Sequence, residues 1–166
     1  MIINKNAIIQ IDTREKPKAI SDILRCFALS GIKHISSKLY VGDYTLVNNQ
    51  SVVVDRKQNL SEVCSNVCQQ HERFRNELIR AQEAGIKIYI LVEHGKGIKC
   101  LEDVCKWVNP RLKVSPKAMT GKQLYKVMKT QQEKYGIEYV FCDKNETGYM
   151  ILKLLGVVKW KLLKNY

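Results

Sequence analysis

Short, almost continuously apolar runs alternate along this chain with segments whose apolar positions recur every three or four residues, which predicts strands and helices in turn. Ala7 to Ile11 is apolar and ends at Asp12, as a buried strand leading to a polar site does. Ala19 to Ser30 carries Ile20, Ile23, Leu24, Phe27 and Ala28 at helical spacing and stops at Gly31. Gly42 to Lys57 reads as a hairpin, with a turn at Asn48-Asn49 before the apolar run Val52 to Val54. Asn59, with Glu62 three residues on, marks a helix start. The helical pattern Leu60, Val63, Cys64, Val67, then Phe74, Leu78 and Ile79 runs to about Gly85, with a break near Gln69-Gln70. Ile86 to Val92 is a predicted central strand ending at Glu93-His94. The stretch with Asn109-Pro110 and Ser115-Pro116 is irregular, and Gly121 to Tyr135 is helical with a stop at Gly136. Ile137 to Cys142 closes the set of strands, and Thr147 to Leu155 forms a last helix before Gly156.

This pattern predicts an α/β fold, a mixed central β-sheet flanked by helices. The 166 residues suffice for a single domain with a core at about residues 7 to 156 and a basic tail over 157 to 166. In open α/β sheets ligands gather beyond the carboxyl ends of strands, which draws attention to Asp12, Arg14, Glu15 and Glu93. Composition adds a partner class: 28 Lys and Arg against 16 Asp and Glu give a formal charge of +12, which suits nucleic acid or an anionic surface. No stretch has the apolar length of a membrane span, and residues 1 to 6 lack a signal peptide's apolar region, so an intracellular, cytoplasmic location is expected. Six cysteines lack the close-spaced pairs of common zinc modules and read as reduced thiols.

The hairpin carries the chemistry. Asp55 and Lys57, two apart on a strand, point to one face. A two-residue turn at Asn48-Asn49 would set Asp43 opposite Val54 and part the two acids; a three-residue loop, Asn48 to Gln50, or a bulge at Gly42, sets Asp43 across from Asp55. Two carboxylates and an ammonium on one face are what metal-assisted phosphodiester hydrolysis needs. The alternative on spacing alone is a polar hairpin in which Asp43 serves the turn and Asp55 and Lys57 form a solvated ion pair.

Asp12-Thr13-Arg14-Glu15, Gly42-Asp43-Tyr44, Asp55-Arg56-Lys57, and Arg73-Phe74 with Glu77-Leu78 on a helix resemble, in order and context, the nuclease domain of XPF-type structure-specific endonucleases. That family is similar to the wider PD-(D/E)xK group with its restriction-endonuclease-like fold. Gly121-Lys122-Gln123-Leu124 and Phe141-Cys142 resemble small stand-alone members from bacteriophages and prophages. Two departures stand out. Asp55 replaces the family's usual Glu, and Ser61 stands where an Asp is usual, with Glu62 beside it. No paired helix-hairpin-helix motif is found.

The resemblance implies a DNA endonuclease acting with Mg2+ or Mn2+ on branched, flap or fork DNA. Asp43, Asp55 and the Arg56 carbonyl would ligate metal, Lys57 would orient the water, and Asp12 and Glu15 would support the metal or its waters. Arg14, Arg56 and Arg73 would hold phosphates or brace the acids. Residues 96 to 134 hold ten basic residues against three acids, and Lys113, Lys117 and Lys122 suit a backbone-tracking DNA surface. No membrane partner is expected, and a homodimer is compatible with the resemblance. The rival readings are a nuclease-fold DNA-binding module without chemistry, and a basic RNA- or membrane-surface protein. The second of these leaves the carboxylates at strand ends unexplained.

Overall fold

The structure, a computed structural model, describes residues 2–159. A short strand, β1 (Ile2–Ile3), precedes the expected apolar strand, β2 (Ile8–Ile11), and helix α1 (Ser21–Leu29) buries Ile23 and Phe27. An unexpected strand follows, β3 (Lys33–Ser36), exposed along its whole length. The hairpin is β4 (Tyr44–Leu46) and β5 (Asn49–Lys57). Asn59 caps α2 (Leu60–Cys68) by accepting the Glu62 N–H at 2.9 Å, and α3 (His71–Glu83) starts after the break at Gln69-Gln70. Beyond β6 (Lys87–Glu93) come two 3-10 turns, Glu102–Lys106 and Pro110–Lys113. A reciprocal Thr120–Gln123 capping box then opens α4 (Gly121–Tyr135), which Gly136 closes in the left-handed region at φ 64°. β7 (Glu138–Cys142), α5 (Thr147–Leu154) and β8 (Val158–Lys159) complete the fold. Trp160 and most of the basic tail lie outside the described residues.

Six strands form one mixed sheet in the order β3-β2-β4-β5-β6-β7, and β1 pairs with β8 in a separate antiparallel ribbon. β5, β6 and β7 run parallel, while β4 is antiparallel to both β2 and β5. α1 and α5 cover one face, packing Phe27, Ile151 and Leu152 on Ile9, Tyr44, Val54 and Leu91. α2, α3 and α4 cover the other, packing Leu60, Leu78, Leu124 and Met128 on Val53, Ile88, Ile90 and Val92. Successive residues of β5 therefore feed opposite cores, Val53 into one and Val54 into the other. The same alternation aims Asp55 and Lys57 toward α2 and α3, and Arg56 the other way.

The hairpin sets Tyr44 opposite Val54, the parity the acids need, but not through a three-residue loop at Asn48 to Gln50. Its tight turn is Val47-Asn48, with Leu46 facing Asn49, and the β4–β5 ladder is irregular between Thr45 and Leu46. Between Leu46 and Thr45 the register shifts, so that Thr45 faces Val53 and Tyr44 faces Val54, and the Asp43 and Asp55 carboxyl groups come within hydrogen-bonding reach of one another. The physical reason lies in the neighbours. β4 is held by β2 through Ile11↔Tyr44, and β5 by β6 from Val52 onward, so the slack collects in residues 50–52 of β5, which have no partner on β4. The buried Thr45 hydroxyl donates to the Val52 carbonyl at 2.8 Å and so satisfies a group that the irregularity would strand.

Among the described residues no helix is long and apolar enough to cross a membrane, and all six cysteines are free.

Candidate active site

Asp43, Asp55 and Lys57 meet at the carboxyl end of β5. Lys57 Nζ donates to Asp55 Oδ1 at 3.0 Å, and the Arg56 backbone N–H donates to Asp43 Oδ2 at 2.9 Å. Burial, and then the charge and hydrogen bonding of Asp55, hold the Asp43 carboxyl well above the ordinary Asp pKa; Lys57 and the Arg56 N–H offset only part of this. For Lys57 burial works against the charged form, but Asp55 and Asp43 outweigh it and the pKa rises, so the group is an ammonium at neutral pH. Its Nζ sits 5.5 Å from the centroid of the Phe74 ring, which holds the side chain from below.

Around these three groups the other charged residues act as braces. Asp12 is buried; its carboxylate accepts the Arg14 N–H at 2.9 Å, Arg14 Nε at 2.6 Å and the Leu39 N–H at 2.7 Å, which ties two loops together. With its lone pairs so used, it faces the loops and not the cleft. Arg14, half-exposed, also donates to the Gly42 carbonyl at 3.1 Å and lies 4.0 Å from Asp43 Oδ1. The Gly42 N–H donates in turn to Glu77 Oε1 at 3.0 Å, and Gly42 adopts φ +71° beside Val53. On the opposite face, Arg56 donates to Glu15 at 2.9 and 3.3 Å and to Glu93 at 3.1 Å, while the Tyr44 hydroxyl donates to Glu15 at 2.6 Å.

Of the two roles expected of the Arg56 side chain, holding phosphates or bracing the acids, the structure shows the second: Arg56 lines the cleft, but its side chain is 6 % exposed and its guanidinium is engaged by two carboxylates. Glu93, picked out by the sequence only as an acid at a strand's carboxyl end, is one of those two partners. Arg14 and Arg73 do line the cleft of about 230 Å³ that contains Asp43, Asp55 and Lys57, together with Glu15, Glu62, Asn66, Gln70 and Glu77. Among the described residues Arg73 forms no ion pair, with Glu77 or otherwise, which leaves its guanidinium open to a ligand. Lys113, Lys117 and Lys122 are exposed but do not line this cleft; Lys117 lies with Arg111 at a second one, of about 310 Å³, against another side of α2. Sequence reasoning missed the bond from Glu77 to Gly42, which no local spacing announces.

Among the described residues no three His, Cys, Asp or Glu side chains gather to hold an ion by themselves. The donor set nonetheless fits a hard divalent cation: two carboxyl groups close enough for the Asp55 charge to disfavour that of Asp43, with room in an open cleft for water and phosphate oxygens.

A family model described as the ERCC4 domain matches residues 11–154. Among solved structures, XPF from Aeropyrum pernix is similar at 23% identity and TM-score 0.63, covering 89% of this chain and 63% of that one. The structure of XPF from Aeropyrum pernix in complex with DNA is similar at 23% identity and TM-score 0.64, covering 92% of this chain and 64% of that one. The chain thus spans a little under two thirds of the length of these structures, and the likeness shows a shared fold. No curated protein matches the sequence.

Proposed function

The chain belongs to the ERCC4 domain family, and from that premise we propose that it is a metal-dependent DNA endonuclease hydrolysing phosphodiester bonds in branched, flap or fork DNA. The observation that carries the reading is the meeting of Asp43, Asp55 and a protonated Lys57 in a cleft whose rim supplies Arg14 and Arg73.

Asp43 and Asp55 would hold Mg2+ or Mn2+, with the Arg56 carbonyl as a backbone ligand. The ion, when bound, supplies positive charge to polarise the phosphoryl group and favour hydroxide over water. Lys57 serves from the other side of Asp55: its ammonium fixes the carboxylate's direction, orients the attacking water and faces the charge that grows on phosphate oxygens. Arg14 and Arg73 grip the phosphates on either side. Glu15 and Asp12 act one step removed, Glu15 by setting Arg56 and Asp12 by setting Arg14 and the Leu39 loop. Lys113, Lys117 and Lys122 lie farther out, where they would follow the duplex backbone. Lys57 placed against both acids argues against a module that merely binds DNA.

The test is a panel of labelled duplex, flap, fork and junction DNAs, incubated with and without Mg2+ or Mn2+. Asp43→Ala and Asp55→Ala should abolish cleavage and leave metal-free binding intact or slightly tighter, since a charge facing the phosphate has gone. Lys57→Ala should lose rate on the order of 100-fold while metal binding persists. Binding without cleavage of any substrate by the wild type, or cleavage that survives both Asp substitutions, would sink the enzyme reading.

A further inference from the structure

Beside the catalytic cleft runs a second groove, of about 290 Å³, which shares Arg14, Arg73 and Glu77 with it and adds Lys38, Tyr40 and Arg80. The shared residues place the two side by side. The acids that line the groove are already engaged: Asp12 by Arg14 and the Leu39 N–H, Glu77 by the Gly42 N–H. Arg14 and Asp12 pair with one another, which leaves Lys38, Arg73 and Arg80 facing the groove against the single carboxylate of Glu77.

Tyr40 gives this groove a chemistry that charge alone does not. Its neighbours Leu39 and Val41 are buried at 8% and 2% exposure, and the Leu39 N–H is bonded to Asp12, yet Tyr40 itself is 64% exposed. The anchored chain on both sides holds the ring out over the groove instead of letting it fold into the core. Arg80 Cζ lies 5.6 Å from the ring centroid, so a guanidinium steadies the ring from α3. An anchored aromatic ring among cations is the combination that binds unpaired nucleotides: bases stack on the ring and phosphates meet the charges. Paired bases in a duplex do not offer their faces in this way.

We propose that the groove formed by Lys38, Tyr40, Arg73 and Arg80 binds an unpaired DNA strand continuous with the scissile one, with a base stacked on Tyr40. The proposal deepens the nuclease reading and rests on it for the strand's connection to the cleft, and it selects substrates with a single-stranded arm over blunt duplex. Tyr40 is a binding residue in this scheme and takes no part in the chemistry.

The experiment measures binding in EDTA, where no cleavage intervenes, by anisotropy of labelled oligothymidylate and of a blunt duplex across a salt series. Tyr40→Ala should weaken oligothymidylate binding on the order of 5- to 100-fold with its salt slope unchanged, because stacking is not ionic. Tyr40→Phe should keep wild-type affinity, and duplex binding should be unaffected by either variant. Lys38→Ala should flatten the single-strand slope by about 0.7. The proposal is overturned if wild-type protein does not bind oligothymidylate, if Tyr40→Ala binds it as wild type does, if Tyr40→Phe loses as much as Tyr40→Ala, or if duplex affinity falls in parallel. The two readings fail separately. Tyr40-dependent binding without cleavage keeps the groove and removes the enzyme, whereas cleavage with unchanged Tyr40→Ala binding does the reverse.

Discussion

Replacing Arg56 with methionine should unsettle the fold more than most single changes in this chain. The guanidinium is 6% exposed and holds Glu93, itself 3% exposed, and Glu15. Without it Glu15 keeps only the Tyr44 hydroxyl, and Glu93 keeps no side-chain partner. Stranding a buried charge by removing its partner costs about 3–5 kcal/mol. In a protein of this size each kcal/mol is worth about 2–4 °C, so the expected loss in Tm is roughly 6–20 °C. Thermal and urea unfolding at neutral pH read this directly. Adding Glu93→Leu to Arg56→Met should recover about 1–3 kcal/mol, because the second change removes the stranded carboxylate. A cost below about 1 kcal/mol for Arg56→Met, or a double variant less stable than the single one, would refute the brace.

The Asp43 carboxyl has a folded-state pKa above its unfolded value, so its contribution to stability is fully present below about pH 4 and is lost as pH rises through the raised value. Asp43→Asn should therefore raise the Tm of the metal-free protein at pH 7–8 and not near pH 4, in scans with EDTA, while Mg2+ should stabilise the wild type and not the variant. Lys113, Lys117 and Lys122 replaced together by Ala should flatten the salt slope of duplex binding by up to about 0.9 per lost phosphate contact; an unchanged slope would move the duplex elsewhere. Gly42→Ala should cost about 1–2 kcal/mol in urea unfolding, since Gly42 adopts φ +71° and an added Cβ would lie 3.2 Å from Val53.

Much of this was legible in the sequence because the helices and central strands announce themselves by period and by glycine stops. The chemistry of the hairpin even demanded the parity that the fold delivers. Its cause was not legible: the slack at residues 50–52 follows from β2 and β6 holding the two strands, and those pairings are long-range. β3 escaped notice because Lys33, His34, Ile35 and Ser36 at a sheet edge are exposed on every side and carry no alternation. Arg56 was left open for a similar reason. A basic residue between two catalytic candidates reads as a phosphate contact or as a brace until Glu93, 37 positions away, is seen to hold it. Glu77 sits 35 residues from Gly42, and only the docking of α3 on the hairpin brings them together.

The irregularity beside Thr45 also makes the tip of the hairpin a place to build on. Because β4 and β5 take their offset from outer neighbours, the Val47-Asn48 turn transmits no information about where Asp43 meets Asp55. A peptide tag or a fluorescent reporter spliced in between those two residues would be carried on a segment already decoupled from the cleft. Homologous hairpins of different length could likewise be exchanged there, so long as a hydroxyl remains at position 45 to cap the Val52 carbonyl.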